Sequence, residues 1–115
     1  MKIKERDYGR VLEIVKDSIA RASISLGIEF YVEEYYLYGS QLSDKENPND
    51  IDIFIYASDW NDSLEAYNKD SELLYQEVHD FLHENQECFN GTPIDINIKS
   101  YDFDLDGQVI NISNY

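Results

Sequence analysis

The sequence predicts a mixed α/β (α+β) domain: a small mixed β-sheet of three to four strands with two main helices packed on one of its faces. Three observations predict it. An amphipathic stripe at helical spacing occupies the start of the chain, Asp50 to Tyr56 and Ile94 to Ser100 each alternate isoleucine with another residue, and a second amphipathic stripe lies between those two segments. At 115 residues the chain is large enough for one ordinary core and too short for two, so residues 1–115 are expected to form one domain. There are no internal repeats and no low-complexity linker.

Taken in order, the first element runs from about Arg6 to Leu26. Its apolar residues Tyr8, Val11, Leu12, Val15, Ile19, Ala22 and Leu26 fall on one helical face, and Gly27 supplies a stop. Glu29 to Tyr38 is rich in aromatic and β-branched residues and reads as a strand, which Gly39-Ser40 breaks. Gln41 to Asn49 reads as a polar loop or a short helical turn. Asp50 to Tyr56 is the clearest strand, with Ile51, Ile53 and Ile55 on one face and Asp50, Asp52, Phe54 and Tyr56 on the other. Ser58 to Asn68 reads as a loop with a helical turn around Trp60 to Tyr67. A helix from about Asp70 to Glu84 follows, its stripe made of Leu74, Val78, Phe81 and Leu82. Glu87 to Thr92, containing Asn90-Gly91, is a connection. Ile94 to Ser100 is the third strand, with Asp95 and Asn97 opposite its isoleucines. A turn at Asp106-Gly107 and a short strand at Gln108 to Ile112 complete the chain.

The net charge of −15 narrows the function. Nucleic-acid affinity rests on neutralising phosphates with Lys and Arg, and only nine such residues are present, four of them within the first ten. A polynucleotide substrate is therefore not expected. A cationic small molecule, a basic protein partner or a metal-bound nucleotide fits the charge. The single Cys88 excludes an internal disulfide and suits a reducing compartment. No apolar run approaches the ~18 residues of a membrane span, and no apolar leader follows Met1, so a cytoplasmic protein without a membrane partner is expected.

Two carboxylates two residues apart on a strand project from the same face, so Asp50 and Asp52 stand together, and Asp95 joins them if its strand is a neighbour. Three gathered carboxylates repel one another and raise their own pKa values. A divalent cation removes that cost, and hard oxygen ligands suit Mg²⁺. Gly39-Ser40 lies just upstream, where a phosphate can approach the backbone closely. For any single aspartate the ordinary reading is a solvated sheet face; all three, with Gly39-Ser40 beside them, favour a site.

At these residues the chain resembles the nucleotidyltransferase superfamily related to DNA polymerase beta, and its small size is similar to that of the minimal nucleotidyltransferases. The resemblance covers about residues 6 to 100 and rests on Leu37-Tyr38-Gly39-Ser40, a loop of about ten residues, Asp50-Ile51-Asp52, and Ile94-Asp95-Ile96. It implies transfer of a nucleotide from a nucleoside triphosphate such as ATP to an acceptor, with release of pyrophosphate; a protein hydroxyl or a small cationic acceptor suits the acidic surface. It further implies that Asp50 and Asp52 ligate Mg²⁺, and that Asp95 completes a second metal position and helps deprotonate the attacking hydroxyl. Gly39 and Ser40 would receive the phosphates. Gln41, Leu42, Ser43 and Asp44 follow Gly39-Ser40, so Lys45 is the first cation available to hold the triphosphate.

Other candidates carry less. His79 and His83 are four apart on the second helix, a metal-compatible spacing, but read best as solvated helix-face residues. Cys88 has no basic neighbour in sequence and reads as a partly buried structural thiol. Trp60, Tyr56 and Tyr67 could stack a base, with core packing the default. Asp102-Asp104-Asp106-Gly107 lacks the later bidentate Glu of a calcium loop. The alternative function is a catalytically inactive nucleotidyltransferase-fold interaction protein, an antitoxin-like or immunity-like partner of a basic protein. An acidic nucleic-acid mimic is a third reading, and it leaves the three aspartates unexplained.

Overall fold

The first helix, α1, spans Tyr8–Leu26 and is led in by a 3₁₀ turn at Glu5–Asp7. The Lys4 N–H donates to Asp7 Oδ2 (2.9 Å), which holds that entry turn. At the other end Gly27 takes the left-handed conformation (φ 65°) and its N–H donates to the Ser23 carbonyl, so the helix stops where glycine removes the Cβ penalty. Val11, Val15 and Ala22 are fully buried, with Tyr8, Leu12 and Ile19 beside them. Each large aliphatic side chain so buried contributes about 1.5–3 kcal/mol. The computed structural model describes residues 1–27, 30–60, 76–99 and 108–115.

The described residues form a mixed α+β structure with two helices and an open five-stranded sheet, in the order β3-β4-β2-β1-β5. β1 (Phe30–Tyr38) runs antiparallel to β2 (Ile51–Trp60). β4 (Thr92–Lys99) runs parallel to β2 in an unbroken register from Ile51↔Ile94 to Tyr56↔Lys99. β3 (Cys88–Phe89) and β5 (Ile110–Asn111) are two-residue strands antiparallel to β4 and β1. A parallel pair needs a long crossover, and the second helix, α2, described over residues 76–84, lies within it.

Two expectations change. β2 continues to Trp60, past the loop expected to begin near Ser58. β3 was expected to be part of a connection. Instead Asn90 (φ 49°) and Gly91 (φ 84°) form a two-residue turn that folds Phe89 back onto Thr92, so a fifth strand appears where the sequence pattern reads three or four. The start of the second helix with Leu74, most of the turn expected around Trp60 to Tyr67, and the Asp102-Asp104-Asp106-Gly107 run lie outside the described residues.

The isoleucine face of the sheet is the core. Ile51, Ile53, Ile55 and Ile94 pack with Val11, Leu12, Val15 and Ile19 of α1, and with Leu37, Phe89 and Ile112. Val78 and Leu82 of α2 pack with Ala22, and Ile96 and Ile98 close that cluster. Both helices therefore pack on the isoleucine face, and the aspartates lie on the opposite face, where α2 approaches Asp95 along β4 through His79 and His83.

Candidate metal centre

Register builds the site. Tyr38, Asp52 and Asp95 are Cα partners across β1, β2 and β4, so one rank of residues crosses three strands with all three side chains on the face away from the helices. Asp50 precedes β2 on the same alternation. Asp50, Asp52 and Asp95 each offer a carboxylate oxygen, and these oxygens lie within 4.8 Å of one another. All three side chains are half-buried. Among the described residues this is the one group of three or more His, Cys, Asp or Glu side chains close enough to share an ion.

The Gly39-Ser40 turn closes on these carboxylates. Gly39 has φ 75°, and a Cβ added there would stand 2.5 Å from Asp52 Oδ2. The Ser40 N–H donates to the Asp52 carboxylate, and the Ser40 hydroxyl reaches Asp50 Oδ1 at 3.4 Å. The turn was expected to meet a phosphate; here its donors and its open side both face aspartates. Burial pushes the Asp52 carboxyl up to about 6, the charges of Asp50 and Asp95 push it the same way, and the Ser40 N–H opposes them. Asp95 Oδ1 accepts from Gln86 Nε2 (2.7 Å), and the same amide reaches the Ile94 carbonyl (3.2 Å).

Two residues that the sequence reading did not assign to the site stand beside it. Tyr38, half-buried, accepts a hydrogen bond from Asn97 Nδ2 (2.6 Å). Burial raises the Tyr38 phenol above its ordinary value, with the charges of Asp52, Asp95 and Asp50 adding to the rise and Asn97 opposing it. Alternation carries the signal for both: Asn97 is two residues past Asp95, and Tyr38 directly precedes Gly39. Gln41 is the third unexpected residue. It is 3% exposed. Its Oε1 accepts from the Ile3 N–H (2.8 Å), and its Nε2 donates to the carbonyls of Met1 (2.7 Å) and Asp50 (2.9 Å). Gln41 ties the first residues of the chain to the backbone of the metal candidate Asp50.

Lys45 is exposed on the loop before β2, and its backbone N–H donates to Ser43 Oγ (3.2 Å). Its ammonium joins no ion pair among the described residues. His79 and His83 stack nearly parallel (6° between ring planes, centroids 6.4 Å apart) and line a cleft of about 210 Å³ with Leu82, Ile94, Asp95 and Asn97. Cys88, expected to be partly buried, is exposed. Further along the site face Phe54 and Tyr56 are buried and pack edge-on with Tyr36, so that face is not the solvated surface that alternation alone suggests.

Comparison with protein-family models, with curated proteins and with solved structures returned no match. No helix among the described residues is long and apolar enough to cross a membrane.

Proposed function

We propose that the chain is a Mg²⁺-dependent nucleotidyltransferase that moves a nucleotidyl group from a nucleoside triphosphate to a protein hydroxyl or a small cationic acceptor. The observation that supports this reading is the convergence of Asp50, Asp52 and Asp95, their oxygens within 4.8 Å of one another. Three hard oxygen donors suit a divalent ion of the Mg²⁺ class, and the Asp52 carboxyl, raised by burial and further by the charges of Asp50 and Asp95, is a group whose ionised form such an ion would stabilise. When bound, Mg²⁺ would neutralise triphosphate oxygens and stabilise the entering and leaving oxygens of an in-line displacement.

The roles of the chain's own residues follow. Asp50 and Asp52 would hold the ion, and Asp95 would complete the site and take the proton of the acceptor hydroxyl. The acceptor oxygen bonds to the α-phosphorus as the bond from that phosphorus to the bridging oxygen breaks, and pyrophosphate leaves. The Gly39-Ser40 turn holds Asp52 and Asp50 in place, and Lys45 is the cation of the loop that would serve the triphosphate. The −15 charge favours an acceptor that is cationic or carried on a basic protein. The test is calorimetric titration of ATP, GTP, CTP and UTP with and without Mg²⁺, alongside the Asp50→Ala, Asp52→Ala double variant. Metal-dependent triphosphate binding that the variant loses is the expected result; no such binding for any triphosphate ends this reading.

A second reading is a catalytically inactive interaction protein that binds a basic partner. It is favoured by one observation: both donors of Ser40 are engaged by Asp52 and Asp50 rather than open to a phosphate. Under it the chain binds divalent metal with no triphosphate, an outcome the same titration separates.

A further inference from the structure

We propose that the cleft between α1 and α2 is a binding site for a small uncharged molecule carrying an apolar ring and a hydroxyl or carbonyl group. It lies on the helix-covered side of the sheet, away from the aspartates, and is independent of the function proposed above.

The inference starts from Ser18. It occupies the apolar stripe of α1, three residues after Val15 and four before Ala22, and is 5% exposed. Its hydroxyl is buried and has no hydrogen-bond partner among the described residues. A buried hydroxyl left unpaired costs about 1–3 kcal/mol, and most such groups in folded proteins have partners. Ser18 lines a cleft of about 290 Å³, with Arg21 and Ser25 of the same helix and Phe81, Leu82 and Asn85 of α2 and its end. One water, whose share of liquid volume is about 30 Å³, would satisfy the hydroxyl and leave the cleft mostly unfilled.

The lining selects the occupant. Phe81 and Leu82 provide an apolar wall that suits a ring. Among the described residues Arg21 is the one charged residue in the lining, and its Nη2 is engaged by Asp17 (2.8 Å) and Glu87 (2.6 Å). Two carboxylates on one guanidinium, within a chain of net charge −15, disfavour an anion. The guanidinium itself disfavours a cation. Asn85 donates its Nδ2 to the Phe81 carbonyl (2.9 Å), which leaves Oδ1 as an acceptor. A ligand hydroxyl can accept from Ser18 or donate to Asn85, and a carbonyl can accept from Ser18. The volume stands at the lower end of small-molecule pockets, about 300 Å³, so a single ring with short substituents fits and a nucleotide does not.

The test is an amide-resolved NMR titration of the whole chain with phenol, and with toluene and benzoate as comparisons. Phenol is expected to cause saturable shifts at Ser18, Ser25, Phe81 and Asn85, with toluene and benzoate binding about threefold more weakly or worse, the size of one hydrogen bond. Ser18→Ala should weaken phenol by about threefold without weakening toluene, and should unfold at the same temperature as the wild type or higher. The proposal is overturned if phenol causes no saturable shift at these residues. It is equally overturned if phenol and toluene bind alike to the wild type, a comparison that needs no variant, or if Ser18→Ala binds phenol as well as the wild type.

Discussion

Gly39 and Asp52 occupy one another's space: a Cβ on Gly39 would stand 2.5 Å from Asp52 Oδ2 and 3.3 Å from its Cγ. Gly91 provides an internal control, since its φ of 84° is also positive but nothing lies within 4 Å of its added Cβ. Gly91→Ala therefore carries the backbone cost alone, about 1–2 kcal/mol. Gly39→Ala carries that cost and displaces a carboxylate as well, so about 2–4 kcal/mol is expected. Urea denaturation of both variants measures the difference; equal losses would mean that the Asp52 carboxylate moves aside freely.

Asp52 predicts a pH dependence with a definite sign. Its carboxyl sits at about 6 in the folded protein against 3.8 for an unperturbed group. The folded chain thus keeps a proton that the unfolded chain has already released. The stability this contributes is full below 3.8 and is lost as pH rises through about 6. Asp52→Asn cannot lose a proton, so its melting temperature should exceed that of the wild type by a margin that widens with pH across that window. Adding Mg²⁺ above pH 6 should narrow the margin by stabilising the wild type alone. A margin that stays constant with pH contradicts the assignment.

Gln41 predicts a stability loss on substitution. A lysine there would be the substitution to try if a triphosphate clamp were wanted. Yet the side chain is buried and serves Ile3, Met1 and Asp50 with three hydrogen bonds. Gln41→Lys should cost about 2–4 kcal/mol by leaving buried backbone groups unpaired, and should weaken divalent-metal binding through the anchorage of Asp50. Thermal melts and metal calorimetry read both effects. A variant as stable as the wild type, with tighter triphosphate binding, would place residue 41 in the nucleotide site instead.

Much of the layout was legible because it follows from short-range periodicity. The stripe from Tyr8 to Ala22, the isoleucines of β2 and β4, and the shared face of Asp50, Asp52 and Asp95 all depend on repeats of 3.6 or 2 residues. The parallel pairing Asp52↔Asp95 was a condition of the site that sequence could state but not establish. What escaped depends on long-range partners. Gln41 is a polar residue in a polar loop, and its burial is set by Ile3 and Met1 some forty residues away. Ser18 interrupts an apolar stripe without breaking it. β3 spans two residues, too few for alternation to register, although Asn90-Gly91 was a turn signal at its end.

Asn97 and Tyr38 predict a titration shift. The amide of Asn97 donates to the Tyr38 oxygen, which favours the phenolate, while burial and the three aspartates favour the phenol. Asn97→Ala should therefore move the Tyr38 titration to still higher pH, and loss of the hydrogen bond should cost about 0.5–1.5 kcal/mol. Ring-carbon NMR of Tyr38 follows the first effect and chemical denaturation the second. A downward movement of the Tyr38 titration would show that Asn97 does not donate to it in solution.

The parallel pairing of β2 with β4 also bears on how fast the chain folds. Asp52 and Asp95 come together only after the whole crossover that contains α2 has been closed, whereas the β1–β2 pair needs a far shorter loop. The repulsion between Asp50 and Asp52 is already present in the early hairpin, and the charge of Asp95 is added only at the late step that docks β4. That step joins distant parts of the chain and brings like charges together, two reasons for it to limit the rate. A divalent ion added during refolding would then act on the rate of closure rather than only on the depth of the native state.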